Sequence, residues 1–301
     1  MYRSRAGAEA IRAAYQRLLG RWPASVHPVH FATSLGEAFA MKGGREEGPA
    51  ILMLHGSGSN GAVWLGAAAE LGKAGRCYAL DLPGEPGNSA QVRCGWPEMV
   101  AWLGEIRGQV PERPLVLLGN SLGGWLALAS ALDDPQGVAA VMTINPAGVA
   151  PRRKTYGWYA RLARWAGRRG ARIMEQANLR GRRMDDDFRE FFDQAGRHFI
   201  YRPSVPMLSD DELRRLAMPL GYWAGKKDIL LPTKKIARRL RRLVPQADIF
   251  IDEKGGHAYH PPPAVLREWL SVILASRIND QCLGLVTETW PPGRVVPGSR
   301  S

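Results

Sequence analysis

The sequence predicts an α/β protein with a doubly wound, mostly parallel sheet, and two observations lead to that prediction. The run 50–54 (AILML) is apolar at every position between Gly48-Pro49 and His55-Gly56, as in a strand that is buried on both faces. Runs of this kind alternate with helix-like segments over the first 150 residues. Such alternation favours βαβ units, in which the strands are parallel and helices cover both faces of the sheet.

A helix and a hairpin precede these units. Apolar Ile11, Tyr15, Leu18 and Trp22 recur on one face of the segment 8–22, which predicts an amphipathic helix. The following polar–apolar alternation predicts two strands joined by a short turn. The next strands and helices are predicted, in order, at 50–54, 62–73, 77–82, 97–109, 114–119, from 121, and 138–146.

The alternation stops after Pro151. Residues 151–215 are helix-like, basic and rich in Trp, Tyr and Phe, which predicts a helical insert. Ser209 and Glu212 form a capping-box pattern that opens the helix leading back to the core. Strands at 219–225 and 247–252 and a final helix complete the sheet. The chain therefore divides into a lead-in (1–27), a first core part (28–150), the helical insert (151–215), a second core part (216–278) and a loose tail (279–301).

Composition is that of an ordinary globular protein. Hydrophobic residues make up 45% and charged residues 23% of the chain, and no apolar run approaches the roughly 18 residues that span a bilayer. The three cysteines have no metal-ligand spacing, and the N-terminus has no apolar signal core. We therefore expect reduced thiols, a cytoplasmic location, and neither a metal nor another cofactor.

The net charge of +13 is concentrated in the insert, where eleven Lys/Arg residues accompany one acid between 150 and 183. A basic surface attracts nucleic acid, anionic lipid or acidic substrates. The basic stretch 234–243 predicts an amphipathic helix, with Ile236, Leu240 and Leu243 on its apolar face and the cations on its solvated side. Since no nucleic-acid motif accompanies the charge, we expect no nucleic-acid partner. Contact between the basic insert and a membrane surface stays open, as does the oligomeric state.

The stretch Gly119-Asn120-Ser121-Leu122-Gly123 matches G-x-S-x-G between a predicted strand and a predicted helix. A sharp strand-to-helix turn holds the serine hydroxyl clear of the sheet, and glycines let neighbouring backbone pass close by. The pattern therefore predicts a nucleophile at Ser121, with the Leu122 amide positioned to stabilise an oxyanion. The alternative interpretation is a glycine-rich turn that only packs the helix on the strand.

A serine nucleophile needs a base. His257 lies in a glycine-marked loop after the last predicted strand, and we prefer it to His260, which precedes a proline. The base needs an orienting acid, for which Asp228 follows the strand 219–225. Asn145 occupies the other plausible place for the acid but cannot be anionic. Three further acids are assigned to strands or to their own turns: Asp81, Asp248 and Asp252.

A second oxyanion donor is expected in the loop 55–60 (HGSGSN), directly after the strand 50–54. Its glycines allow amides to face inward, and Ser57 is the candidate donor. A phosphate-binding interpretation is weaker, because the loop lacks the lysine of a P-loop and does not fit G-x-G-x-x-G.

Together HGSGSN, DLPGEPGNS, GNSLGG, GKKD and GGH resemble the α/β-hydrolase fold superfamily over residues 28–275. The resemblance implies an eight-stranded sheet and a helical cap inserted after the sixth strand, at the position of the insert. It implies Ser121 as nucleophile, Asp228 as acid and His257 as base, with the amides of Ser57 and Leu122 as oxyanion hole. The turn 81–89 departs from the more usual DxxGxGxS, and we interpret it as structural.

The resemblance further implies a serine hydrolase that cleaves an ester or thioester of a small-molecule acyl substrate. Two alternatives remain. The same triad serves hydrolysis of a C–C bond in a meta-cleavage-type diketone, and the fold also serves non-catalytic ligand binding.

Overall fold

Eight strands form one sheet in the computed structural model, which describes residues 1–180 and 183–283. The strands are β1 (His27–Thr33), β2 (Gly36–Gly44), β3 (Ala50–Leu54), β4 (Arg76–Leu80), β5 (Leu115–Asn120), β6 (Val138–Ile144), β7 (Leu220–Gly225) and β8 (Ala247–Asp252). Their spatial order is β1-β2-β4-β3-β5-β6-β7-β8. The pairs β1–β2 and β2–β4 are antiparallel and all the other neighbours are parallel. This confirms the predicted fold class.

The helices follow the predicted alternation. They are α1 (Arg5–Leu19), α2 (Leu65–Leu71), α3 (Trp96–Gln109), α4 (Leu122–Asp133), α5 (Lys154–Trp165), α6 (Gly167–Leu179), α7 (Asp186–His198), α8 (Asp210–Arg214), α9 (Thr233–Leu243) and α10 (Pro263–Leu283). Within residues 1–180 and 183–283, no helix combines the length and the hydropathy that a membrane crossing requires.

The insert contains α5 to α8. As predicted, a capping box opens α8: the Ser209 hydroxyl accepts from the Glu212 N–H, and the Glu212 carboxylate accepts from the Ser209 N–H. At the other end of the chain, α10 continues through residue 283. The predicted start of the tail at 279 is therefore wrong, because the apolar periodicity of this helix fades before the helix ends. Residues 284–301 of the predicted tail lie outside the described residues.

The hydrophobic core has one layer on each face of the sheet, and β3 contributes to both. Ile51 and Met53 face the layer covered by α2 and α10, whereas Leu52 and Leu54 face the layer covered by α3, α4 and α9. Successive side chains of a strand point to opposite faces of the sheet. Since both faces are covered here, every residue of β3 is fully buried. This explains why the sequence of β3 shows no polar–apolar alternation.

The lead-in helix α1 packs against α7 of the insert and also contacts the core. Tyr15 and Phe191 lie ring to ring with centroids 6.4 Å apart, and Arg21 forms an ion pair with Asp185. The Tyr15 hydroxyl donates to Asp81, which follows β4. The lead-in thus holds part of the insert against the sheet.

Candidate active site

Ser121 occupies a strained turn between β5 and α4. Its φ of +50° and ψ of −106° lie in a region that L side chains rarely adopt. A Cβ added to Gly119 would lie 2.1 Å from the Gly123 carbonyl oxygen, and one added to Gly123 would lie 2.0 Å from the Leu54 carbonyl oxygen. Both positions therefore require glycine. The close approach of β3, β5 and α4 is what the G-x-S-x-G spacing provides.

Asp228 and His257 form a direct pair. His257 Nδ1 lies 2.7 Å from Asp228 Oδ2, so the Nδ1–H donates to the carboxylate and leaves Nε2 as the basic nitrogen. The other carboxylate oxygen, Oδ1, accepts from the N–H groups of Leu230 and Leu231 at 2.7 and 2.8 Å. The Asp228 side chain is fully buried, while 19% of the His257 side chain is exposed. The pair joins the loops after β7 and β8, as the sequence predicts.

The nucleophile candidate lies at the same edge of the sheet as this pair. β5, β7 and β8 run in one direction, so Ser121, Asp228 and His257 all follow carboxyl ends of strands. Among the hydrogen bonds of the described residues, none joins Ser121 to His257. Such bonds are often long before substrate binds and tighten in the substrate complex.

Asn145 connects the loops at this edge of the sheet, a role that the sequence analysis did not predict. It follows β6 with φ +43° and is buried. Its Nδ2 donates to the His257 carbonyl at 3.0 Å and its Oδ1 accepts from the Gly225 N–H at 3.2 Å. One amide side chain thus ties the end of β6 to the end of β7 and to the histidine loop. The signal present in the sequence was an asparagine directly after a strand, where its tolerance of positive φ is useful.

The loop 55–60 lies against Ser121. The Gly123 N–H donates to the His55 carbonyl at 3.0 Å, and a Cβ on Gly56 would lie 3.4 Å from the Ser121 Cβ. The described hydrogen bonds include none donated by the N–H groups of Ser57 or Leu122, the two predicted oxyanion donors. Both amides therefore remain able to donate to a substrate oxygen.

His55 belongs to the scaffold of this loop. Its Nδ1 lies 2.8 Å from the Gly56 carbonyl oxygen, which can only accept, and its Nε2 lies 2.9 Å from the Leu82 N–H, which can only donate. The ring is therefore the neutral Nδ1–H tautomer. Complete burial lowers the pKa of His55 to about 4. Both nitrogens are committed to the backbone, so His55 holds the loop to the turn after β4.

Glu85 contacts the same loop from the turn 81–89. Its buried carboxylate accepts from the Gly58 N–H at 2.6 Å and from the Ser57 hydroxyl at 3.3 Å. The sequence does not reveal this contact, because the departure of the turn from DxxGxGxS gives no indication of where the Glu85 side chain points. Since Glu85 engages the Ser57 hydroxyl, the group of Ser57 left for an oxyanion is its backbone N–H.

The other acids considered from the sequence make local or structural bonds. Asp81 is buried and accepts from the Gly61 and Asn88 N–H groups. Asp248 accepts from the Trp269 indole at 2.8 Å, and Asp252 accepts from the N–H groups after β8. The second histidine of the loop, His260, packs edge-on against Trp64 with centroids 5.6 Å apart. Within the described residues, no cluster of three or more His, Cys, Asp or Glu side chains could hold a metal ion.

The helical insert covers the three loops of the site. The Tyr201 ring lies where a side chain on Gly58 would be, 2.4 Å from an added Cβ. At the end of α6, the Asn178 carbonyl accepts from the Ala258 N–H beside the histidine. Arg153 Nε donates to the main-chain carbonyl of Asp228 at 3.0 Å. The insert therefore contacts the loop 55–60 and the loops that carry Asp228 and His257.

Comparison with known proteins agrees with this architecture. Residues 51–269 match the model of the alpha/beta hydrolase family. The chain belongs to the alpha/beta hydrolase family. It is 31% identical over 236 residues to the pimeloyl-[acyl-carrier protein] methyl ester esterase of Aeromonas salmonicida (strain A449), covering 70% of this chain and 89% of the relative. It is 23% identical over 266 residues to carboxylesterase YbfK of Bacillus subtilis (strain 168), covering 81% of this chain and 86% of the relative.

Solved structures show the same fold. Naproxen esterase (carboxylesterase NP) of Bacillus subtilis superposes with a TM-score of 0.77 at 19% identity, over 89% of this chain and 98% of that one. Carboxylesterase CesB (YbfK) of the same organism superposes with a TM-score of 0.74 at 20% identity, over 93% and 100%. As an alpha/beta hydrolase with esterases among its relatives, the chain is an enzyme of the esterase type.

In this alpha/beta hydrolase, Glu85→Gln should change the pH dependence of stability. Burial raises the pKa of Glu85 to about 7 from an ordinary 4.5. The folded state therefore keeps a proton that the unfolded state loses, so this group destabilises the fold progressively as pH rises from 4.5 to 7. Glutamine cannot ionise. We expect the free energy of unfolding of Glu85→Gln, relative to that of wild type, to increase by about 3 kcal/mol between pH 4.5 and 7, because each pKa unit corresponds to about 1.4 kcal/mol.

Urea unfolding at several pH values between 4.5 and 7 measures this difference. The matched control is Glu268→Gln, which makes the same substitution at an exposed carboxyl. A difference between Glu85→Gln and wild type that stays constant from pH 4.5 to 7, or that changes no more than the difference for Glu268→Gln, would contradict the assignment of a proton to Glu85.

Proposed function

We propose that the enzyme hydrolyses a carboxylic ester through an acyl-enzyme on Ser121. The Ser121 hydroxyl attacks the ester carbonyl while His257 Nε2 accepts its proton, and Asp228 holds the opposite ring nitrogen. The N–H groups of Ser57 and Leu122 stabilise the oxyanion of the tetrahedral intermediate. His257 then protonates the leaving alkoxide, and a water molecule activated by the same nitrogen releases the acid. The observation that carries this proposal is the 2.7 Å bond between His257 and the buried Asp228.

The carboxylate of this pair has a defined task. Because Asp228 Oδ1 is fixed by two main-chain N–H groups, Oδ2 is held toward His257 Nδ1. The imidazole is then kept in the tautomer whose Nε2 can accept a proton. The negative charge also stabilises the imidazolium that forms when Ser121 is deprotonated. A structural ion pair would not need the carboxylate to be held by both oxygens at the catalytic edge of the sheet.

We propose an acyl ester with a small alcohol, such as a methyl ester, as the substrate class. The support is the curated relatives, which are named as a methyl ester esterase and a carboxylesterase. A thioester passes through the same tetrahedral intermediate and is the second substrate class. The Tyr201 ring, which packs against Gly58 next to the proposed oxyanion donor Ser57, offers an apolar surface for the acyl part.

Active-site labelling tests the proposal. The intact mass of the folded protein after treatment with a fluorophosphonate should increase by one adduct in wild type and by none in Ser121→Ala. Methyl and p-nitrophenyl esters of short and medium acyl chains, together with matching thioesters, are assayed in parallel. An adduct with ester turnover is the expected result.

The other outcomes each overturn a defined part. No adduct on folded wild type would overturn Ser121 as nucleophile and favour a ligand-binding protein. An adduct with turnover of a dienoate diketone but not of esters would overturn the ester assignment and favour C–C hydrolysis.

A further inference from the structure

The outer face of α5 exposes large apolar side chains. The exposed fractions are 69% for Trp158, 53% for Tyr159, 59% for Leu162 and 89% for Trp165. Trp158, Leu162 and Trp165 are spaced i, i+4 and i+7, so they lie along one side of the helix. We call these four residues the aromatic face. These aromatic side chains of α5 therefore do not belong to a core of the insert.

The core aromatics of the insert lie in α7 and directly after it. Phe191 in α7 and Phe199 after it are fully buried in a cluster with residues of α1. On α6, the helix packed beside α5, Ile173 is likewise 63% exposed. A soluble surface that leaves two tryptophans open to water is unusual and marks an interaction site.

Cations accompany the aromatic face. Arg161 on α5 is exposed, with its guanidinium 5.8 Å from the centre of the Trp158 ring. Further exposed cations of the same two helices and their lead-in are Arg152, Arg153, Lys154, Arg169 and Arg172. The only acid between 150 and 183, Glu175, forms an ion pair with Arg189 of α7. The exposed surface around the aromatic face is therefore strongly positive.

We infer that the aromatic face binds the surface of an anionic phospholipid bilayer, with α5 lying in the membrane plane. Tryptophan and tyrosine favour the boundary between headgroups and acyl chains, because the ring is apolar and one edge is polar. Arginines at the depth of the headgroups pair with lipid phosphates. A helix with one apolar face and cations beside it is typical of helices that lie in the membrane interface. Helix α5 is also too short and too charged to span the bilayer.

Charge argues against a second copy of this chain as the occupant. Two such faces brought together would place both sets of cations side by side, and like charges at close range oppose association. A bilayer supplies negative charge instead and accepts the apolar side chains without requiring a complementary pocket. The membrane-bound orientation would also bring the bilayer close to the start of the insert, where Arg153 contacts the carbonyl of Asp228.

Vesicle co-sedimentation of the full chain tests this inference. The probes are phosphatidylcholine vesicles with and without about 30 mol % phosphatidylglycerol. We expect binding to the anionic vesicles at about 0.1 M NaCl that weakens at about 1 M, because salt screens the attraction to the surface. Trp158→Ser/Trp165→Ser should weaken partitioning by about 100-fold, because two large apolar side chains leave the bilayer.

The matched control compares two double variants that remove the same charge. Arg161→Gln/Arg172→Gln removes two cations beside the aromatic face, and Arg238→Gln/Arg241→Gln removes two exposed cations of α9. We expect about a tenfold or greater loss of binding in the first pair and almost none in the second. Melting temperatures should stay near that of wild type for all three variants, since the replaced side chains are exposed.

Several results would overturn the inference. These are absence of binding to anionic vesicles, undiminished binding of Trp158→Ser/Trp165→Ser, and equal losses in the two arginine pairs. A dimer found by light scattering that dissociates in Trp158→Ser/Trp165→Ser would assign the aromatic face to a second copy instead.

Discussion

Ser121→Ala should lower kcat/KM for an ester by about 10⁴-fold or more, because the acyl-enzyme can no longer form. Ser121→Gly should be equally inactive but more stable than wild type, by about 1–2 kcal/mol in the free energy of unfolding. The two variants remove the same hydroxyl. They differ in the backbone, since Ser121 has φ +50° and ψ −106° and only glycine adopts these angles without strain.

Ester kinetics and urea unfolding of both variants measure the two effects separately. Ser271→Gly is the matched control, because Ser271 is exposed in the regular helix α10, where the same substitution should destabilise by about 0.5 kcal/mol. Opposite signs at the two positions would show that the backbone at position 121 is strained in wild type. Residual activity of Ser121→Ala within tenfold of wild type, or a Ser121→Gly variant no more stable than Ser121→Ala, would refute the respective half of this prediction.

The position of Ser121 was predictable because its constraints are local. The strand before it is apolar throughout, the helix after it begins at once, and the clashes that exclude side chains at Gly119 and Gly123 come from backbone atoms. A short sequence pattern can encode such a turn. The parallel sheet was predictable for a similar reason, since strands buried on both faces must be apolar at every position.

Asp228 and His257 were predictable in a different way. They lie 29 residues apart, and their 2.7 Å bond depends on two strands ending side by side. Chain order and the placement of loops after strands sufficed to select them, because parallel strands bring their carboxyl ends to one edge. The glycines before His257 and the proline after His260 favour His257, and it is His257 that pairs with Asp228.

The contacts that support the site could not be predicted from the sequence, because each joins two distant loops through a single side chain. Glu85 reaches a loop 27 residues earlier, and Asn145 reaches the histidine loop 112 residues later. Neither contact has a periodicity or a motif. The exposure of the aromatic face on α5 was missed for a related reason. Its i, i+4, i+7 spacing predicts an apolar face correctly, but spacing alone does not say whether that face meets the core or the solvent.

Asp228→Asn should lower kcat/KM by about 10³–10⁴-fold with little effect on substrate binding. The size of the effect follows from how the side chain is held. Oδ1 accepts from the Leu230 and Leu231 N–H groups, so an asparagine must place its carbonyl oxygen there and turn its amide nitrogen toward His257 Nδ1. That nitrogen can only donate. His257 would then accept at Nδ1 and carry its proton on Nε2, where it can no longer take the proton of Ser121.

Ester kinetics and the imidazole N–H resonances of His257 by NMR test this sequence of events. Wild type should show a strongly downfield Nδ1–H signal, from the bond to a buried carboxylate, and Asp228→Asn should lose it. Asp248→Asn is the matched control, because its Trp269 indole donor can still donate to an amide oxygen, and it should keep kcat/KM within about twofold, in line with an interaction outside the reaction path. If Asp228→Asn kept its activity within about tenfold, the tautomer of His257 would have to be set by another group, and Asp228 would be a structural partner of the histidine loop.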